Sequence, residues 1–293
     1  MLETYVLHIT KECNMNCKYC YETDKTSTYS WEELKIILDN IIKHNNHFNL
    51  EFLGGEPCLR IDLIRKTVEY LSSVKSPKNV IVERFYITTN GTYINDDLIK
   101  LMQEYQNITY AFSMDGTPIM NSMRIMKTGY NSHDIVIENA KKLLDIFGPE
   151  RISNHMVTHP FNIGYFNDGI DHFYNVGIRH FGIGTVESTM TIDDDYCNTF
   201  IEQHRILSDR IKNGELKGIH IGLFESIKPK TDSRHYIKDK DGKTLLETYG
   251  RKEDDIKDSA EYKTSASGSP LGDKIYKLRE AVYNYHNGTV YDY

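Results

Sequence analysis

The chain has 293 residues, 39% of them hydrophobic and 26% charged, with a formal net charge of −7. That composition belongs to a globular protein, long enough for one large α/β domain or two modest ones. The acidic excess argues against a general nucleic-acid binder, and no run is long and apolar enough to span a bilayer.

The N-terminus "MLETYVLHIT" carries an early acidic residue and too short an apolar stretch for a signal peptide. With no export signal and an odd number of cysteines, the expectation is a reducing cytoplasm, no membrane partner, and free or metal-bound thiols. "TYVLHIT" (4–10) reads as the first strand. "SWEELKIILDNIIKH" (30–44) reads as a helix, with Ser30 as cap, Glu33 three residues on, and Leu34, Ile37, Leu38, Ile41 and Ile42 on one face. Strand "FNLEFLGG", helix "LIRKTVEYLSS", strand "VERFYITTNG" and helix "DDLIKLMQEY" follow, then strand "NITYAFSMDG" and helix "SHDIVIENAKKLLDIF". Strand "RISNHMVTH", helix "YFNDGIDHFYNVG", strand "IRHFGIGTV" and a long helix ending at Gly214 complete the series.

Six strand–helix units in succession predict an α/β fold, a partial (β/α)6 barrel of parallel strands with its functional groups at the C-terminal strand ends. Composition shifts after "IHIGLFESI" (219–227). Residues 1–227 are therefore expected to form the core, and 228–293 a polar C-terminal appendage over the open side of the barrel. A hairpin turn is expected at "KDKDGKT", a partly disordered stretch near "KTSASGSPLG", and a final helix in "GDKIYKLREAVYNYHNG".

The chemistry concentrates in "CNMNCKYCY" (13–21), which holds Cys13, Cys17 and Cys20, three of the five cysteines. A closed zinc site needs four ligands, usually as two pairs, and there is no second pair: Cys58 and Cys197 stand alone. A 4Fe-4S cube held by three thiolates leaves one iron open. The alternative is a zinc loop with His8 or another histidine as fourth ligand, in a binding module without catalysis. Further along, "LGGEP" (53–57) closes the second strand, with two glycines that allow close backbone approach to a ligand and a carboxylate that can accept from an ammonium. "TTNGT" (88–92) and "SMDG" (113–116) close the third and fourth strands. Thr88, Asn90, Ser113 and Asp115 there set hydroxyl, amide and carboxylate groups beside a turn glycine, suited to a ribose or an amino-acid carboxylate.

The cysteine spacing, with Tyr19 in the aromatic place, and the four motifs in order on successive strands resemble the radical S-adenosylmethionine (SAM) superfamily. The resemblance covers roughly residues 4–227 and is nearest the branch of anaerobic sulfatase maturases and other peptide-modifying enzymes. It implies one 4Fe-4S cluster on Cys13, Cys17 and Cys20, with SAM chelating the open iron. Reductive cleavage would then give a 5'-deoxyadenosyl radical that removes hydrogen from a peptide or protein side chain, or alternatively from a small molecule such as a nucleoside or pterin-like compound. A flavodoxin- or ferredoxin-type protein is the implied electron donor.

Gly54, Gly55 and Glu56 inherit the SAM amino group, while Met156, Val157 and Val186 wall the adenine. Where the branch reads His-Asp and then Arg, this chain has Asn121, Ser122 and an Arg124 one place early; Arg124 is a candidate for the SAM carboxylate, and equally a surface arginine. Residues 228–293 hold no cysteine, so none of the extra clusters of a SPASM or twitch domain is expected there. Cys58 and Cys197 read as core thiols, although Cys58 beside the second motif has a hydrogen-donor reading and Cys197 early in a helix has a lowered-pKa one. His155, His159 and His180, on the fifth and sixth strands, read as packed or solvated, and Tyr285, Tyr291 and Tyr293 as half-buried or surface tyrosines. No acid/base residue is assigned.

Overall fold

The computed structural model describes residues 2–20, 22, 25–74, 79–186, 190–225, 234–238, 244–249, 263–265 and 270–288. The strands are β1 (Thr4–Thr10), β2 (His47–Gly54), β3 (Ile81–Thr89), β4 (Ile108–Ser113), β5 (Ile152–Thr158), β6 (His180–Thr185), β7 (His220–Ile221), β8 (Arg234–Lys238), β9 (Thr244–Tyr249) and β10 (Lys263–Ser265). The helices are α1 (Trp31–His44), α2 (Ile61–Ser73), α3 (Asp96–Glu104), α4 (His133–Phe147), α5 (Phe166–Val176), α6 (Asp194–Lys212), the short α7 (Gly222–Glu225) and α8 (Pro270–His286). From β1 to β7 neighbouring strands are parallel and in chain order, the arrangement that successive right-handed βα units produce. The six expected strands are present, and a two-residue seventh, β7, lies beside β6 in "IHIGLFESI".

Local signals explain the element ends. Ser30 Oγ accepts from the Glu33 N–H at 3.2 Å while the Glu33 carboxylate takes the Ser30 N–H at 2.8 Å, a complete capping box that starts α1. Asn95 and Asp193 cap α3 and α6 by accepting from the Leu98 N–H and the Tyr196 N–H.

The strands show their two faces by period-two burial. On β5, Ile152, Asn154, Met156 and Thr158 are buried, whereas Ser153, His155 and Val157 are half-buried. In register with them, Phe181 and Ile183 on β6 and Phe112 on β4 carry the buried face onward, to Phe85 and Ile87 on β3 and Leu50 and Phe52 on β2. Helix residues such as Leu34, Leu38, Ile64, Val68, Leu98, Leu101, Val136 and Phe173 join them in one core. The opposite face of β2 to β6 carries Glu51, Tyr86, Thr88, Ser113, His155 and Val157, all half-buried. Gly182 and Gly184 present no side chain there, and a Cβ on Gly184 would lie 3.2 Å from His155 Nε2. The sheet therefore has a packed helix side and a polar open side.

The C-terminal hairpin lengthens the sheet. β9 pairs antiparallel with β1, β8 with β9 and β10 with β8. β1 is thereby an interior strand, and Tyr5 to Thr10 are buried on both faces. The expected turn falls between β8 and β9, and residues 239–243 within it lie outside the described residues. "KTSASGSPLG" contains β10 and the start of α8, with 266–269 outside; "RKEDDIKD", Tyr291 and Tyr293 lie outside as well. Helix α8 packs on α6 and α7 through buried Leu278 and Val282, a Tyr285 hydroxyl bond to Asp209 at 2.9 Å, and stacking of His286 on Phe224 at 4.3 Å. No described helix is long and apolar enough to cross a membrane.

Candidate functional site

The cysteine loop leaves β1 and is held from two sides by backbone. The Gly55 N–H donates to Thr10 O at 2.8 Å and the Glu56 N–H to Glu12 O at 2.7 Å. Both glycines are required by this approach. Gly54 has φ +133°, and a Cβ there would sit 2.0 Å from Thr10 O; on Gly55 it would meet Lys11 O and Glu12 O at 2.3 Å. The two glycines admit the close approach of the cysteine loop. From the other side, Asn16 N–H donates to Ile125 O at 2.7 Å, Lys18 N–H to Met123 O at 2.9 Å and Lys127 N–H to Asn14 O at 3.2 Å. This clasp over 123–127 went unread because it is made by backbone groups, although the Thr128-Gly129 turn before Tyr130 marks the short hairpin that presents it.

Cys13, Cys17 and Cys20 are all half-buried on that loop. The Met15 N–H lies 3.4 Å from Cys13 Sγ and Asn90 Nδ2 3.8 Å from it, contacts that favour a thiolate or a cluster ligand. Burial pushes the Cys17 thiol up to about 11, against the pull of Arg124. Asn90 also donates to Asn14 Oδ1 at 2.8 Å, tying the end of β3 to the loop. Three soft thiol donors on one loop, with N–H groups aimed at sulfur, fit an iron–sulfur cluster. Among the described residues no three His, Cys, Asp or Glu side chains, the three cysteines included, are grouped closely enough in this structure to hold a metal ion.

Glu56, expected at the SAM amino group, lies two residues past the end of β2. Its carboxylate is fully buried and accepts from Cys58 N–H at 2.9 Å, Thr89 Oγ1 at 2.6 Å and Asn90 N–H at 2.7 Å. Burial raises its pKa and these three donors oppose the rise. The side chain therefore joins the ends of β2 and β3. Thr88 points to the open face and donates to Glu51 Oε1 at 2.6 Å, so Thr89, one residue on, is the threonine that meets Glu56. Cys58 is buried behind Glu56, 3.9 Å from the Tyr110 hydroxyl, and burial drives its pKa well up.

The second cluster of polar groups centres on Asp115, which is fully buried. Its Oδ1 accepts from Arg124 Nε at 3.0 Å and Val157 N–H at 3.1 Å, and its Oδ2 from the Tyr19 hydroxyl at 2.5 Å. Arg124 is buried, not on the surface, and lies over the Tyr19 ring at 5.3 Å. Burial alone would lower the guanidinium pKa; the Asp115 carboxylate outweighs it and keeps the charge. Asn121, in the place of the branch's histidine, accepts the Asp115 N–H at 3.2 Å and donates to Asn131 and Ser132. Ser113 ends β4 on the open face opposite His155.

Other expected positions fall elsewhere. Met156 is on the helix side, against Gly169 of α5, and is core; Val186 is buried, its N–H donating to Thr158 O at 2.9 Å. Burial raises the Cys197 thiol, against the lowering that a helix start would give. His180 lies at the far end of β6 beside Glu150 and His220. His159, however, is buried with its ring 5.7 Å from Tyr19.

The Radical SAM superfamily model matches residues 7–173. A cysteine-type anaerobic sulfatase-maturating enzyme of Clostridium novyi is 32% identical over 46% of this chain and 38% of its own length. A probable GTP 3',8-cyclase of Pyrococcus abyssi is 27% identical over 50% of this chain and 45% of its own. Among solved structures, native anSMEcpe with bound AdoMet and the Cp18Cys peptide superposes with a TM-score of 0.65 at 19% identity, over 76% of this chain and 64% of that one. The matches span about two fifths of the length of the first curated relatives, 42%, 40% and 38%. A family match over more than half the chain, a partial-barrel fold and three thiols beside the strand ends lead to one assignment: the chain belongs to the radical SAM superfamily, enzymes that use a 4Fe-4S cluster and SAM.

Proposed function

We propose that the protein abstracts hydrogen from a peptide or protein side chain, with Cys13, Cys17 and Cys20 as cluster ligands and SAM seated between Tyr19, Asn90, Asp115, Arg124 and Val157. When bound, the cluster and SAM supply a 5'-deoxyadenosyl radical. Every other task falls to the chain. Gly54 and Gly55 fix the loop that carries the cysteines, and Asn90 orients its Cys13 end. Asp115 locks Tyr19, Arg124 and the Val157 backbone into one rigid wall, which is preorganisation of a binding surface. The buried Arg124 supplies a fixed positive charge for a carboxylate.

The observation that carries the reading is the cysteine loop clamped beside a buried polar cluster centred on Asp115, at the rim of the half-exposed face of β2 to β6. On that face the two glycines of β6 lie against His155, with a Cβ on Gly184 placed 3.2 Å from its Nε2. Two likenesses support a peptide substrate: the sulfatase-maturating relative and a solved neighbour holding a peptide. A small-molecule substrate is the second reading, favoured by the likeness to a probable GTP 3',8-cyclase. We further place the protein in the cytoplasm, with a flavodoxin- or ferredoxin-type electron donor, one cluster on this chain, and residues 1–227 as the catalytic unit.

The test is anaerobic turnover with side-chain-deuterated peptides and, separately, deuterated nucleotides. Deuterium in 5'-deoxyadenosine from the peptide supports the first reading. Deuterium from the nucleotide alone supports the second.

A further inference from the structure

His159 stands just past the C-terminal end of β5, two residues beyond Val157, and 98% of its surface is covered, since its relative exposure is 2%. Local backbone fixes the ring. Asn162 Oδ1 accepts the His159 N–H at 2.8 Å, and the Phe161 N–H donates to Nδ1 at 3.3 Å. An N–H aimed at Nδ1 requires a lone pair there, so the neutral ring carries its proton on Nε2. That Nε2–H is buried and has no partner in the protein. A buried donor left unpaired is unfavourable, and one beside the Asp115 cluster calls for an explanation.

Its surroundings supply the use. The ring contacts Tyr19 at 5.7 Å and lies within the electrostatic reach of Asp115, whose carboxylate is taken up by Arg124, Tyr19 and Val157, and of Arg124. His159 is thus an uncommitted donor at this wall. We infer that His159 binds the adenosyl half of SAM, its Nε2–H donating to a ring-nitrogen or ribose-oxygen acceptor. Val157, two residues before the ring, is one of the residues expected to wall the adenine; Arg124 is the group that suits the carboxylate. This inference rests on the proposed SAM site and adds a contact to it. The sequence hid it because a histidine after a strand has the same appearance whether it is packed or binding.

Two amides that mimic opposite ring nitrogens provide the test. His159→Asn places an oxygen near the Nδ1 position and has no donor at Nε2; His159→Gln reaches the Nε2 position with an N–H. SAM and methionine binding would be measured by equilibrium dialysis on anaerobically cluster-loaded full chain, with iron content and the melting temperature of SAM-free protein followed in parallel. The expected result is a rise of about tenfold in the SAM Kd for His159→Asn, the value of one hydrogen bond, and less than about threefold for His159→Gln. Methionine binding, iron content and melting temperature stay near those of the unaltered protein. Equal SAM affinities for the two variants, whether both tight or both weak, overturn the inference. So does a drop in iron or melting temperature that accounts for the loss, since that is the signature of a structural role. Failure of the unaltered protein to bind SAM would instead overturn the cofactor site on which the inference stands.

Discussion

Asp115 has no exposure to solvent and holds three donors, one of them a buried arginine. Removing one partner of a buried ion pair leaves the other charge without compensation, which costs about 3–5 kcal/mol. Asp115→Asn is therefore expected to lower unfolding free energy by roughly that amount in urea titration, with Arg124 left charged. Arg124→Met in the Asp115→Asn background should recover part of the loss, because both charges are then gone. A loss below about 1 kcal/mol for the single variant would mean that water already reaches the pair. At this scale the sequence was legible in kind and not in detail. Asp115, Asn90, Tyr19 and Arg124 do meet around the cysteine loop. Thr88 and Thr89 are chemically identical neighbours on opposite faces of a strand, so only the register tells which of them reaches Glu56.

The elements show where local signals suffice and where they do not. Capped helices and period-two strands follow from residues close in sequence, and the six strand–helix units lie where periodicity puts them. The pairing of β9 with β1 and the 123–127 clasp depend on partners over 100 residues apart, formed by backbone groups that every residue carries. Gly55 is the exception, a long-range contact signalled by residue type. Because a Cβ at Gly55 would meet Lys11 O and Glu12 O at 2.3 Å, Gly55→Ala must displace the cysteine loop. The expected outcome is several-fold lower iron per chain after reconstitution, with helical circular dichroism unchanged, since the core cluster that the helices pack into contains no residue of the loop. Full iron loading in the alanine variant would show that the loop does not need this close approach.

For the whole molecule, the same sheet keeps a dry side under the helices and a polar side at which the site opens. His204 tests the dry side. It is fully buried on α6, stacked on Phe166 at 4.3 Å and Phe200 at 4.0 Å, with Phe224 and then His286 beyond, and burial lowers its pKa to about 4. The unfolded chain binds its proton near pH 6.5 and the folded one does not. The stabilisation is therefore complete above about pH 6.5 and is lost as pH falls toward 4, up to roughly 3 kcal/mol. Denaturation midpoints at pH 7 and pH 5 should differ markedly for the unaltered protein and much less for His204→Phe. Parallel pH slopes in the two proteins would place the acid sensitivity elsewhere.

The account depends most on an iron–sulfur cluster that Cys13, Cys17 and Cys20 hold with one iron left for SAM. The direct measurement is electron paramagnetic resonance of the anaerobically reconstituted, dithionite-reduced protein before and after SAM is added. The expected result is the signal of a reduced 4Fe-4S cluster, about four irons per chain, whose shape changes when SAM arrives. A cluster signal that SAM leaves unaltered, or a protein that takes up zinc and no iron, would contradict it.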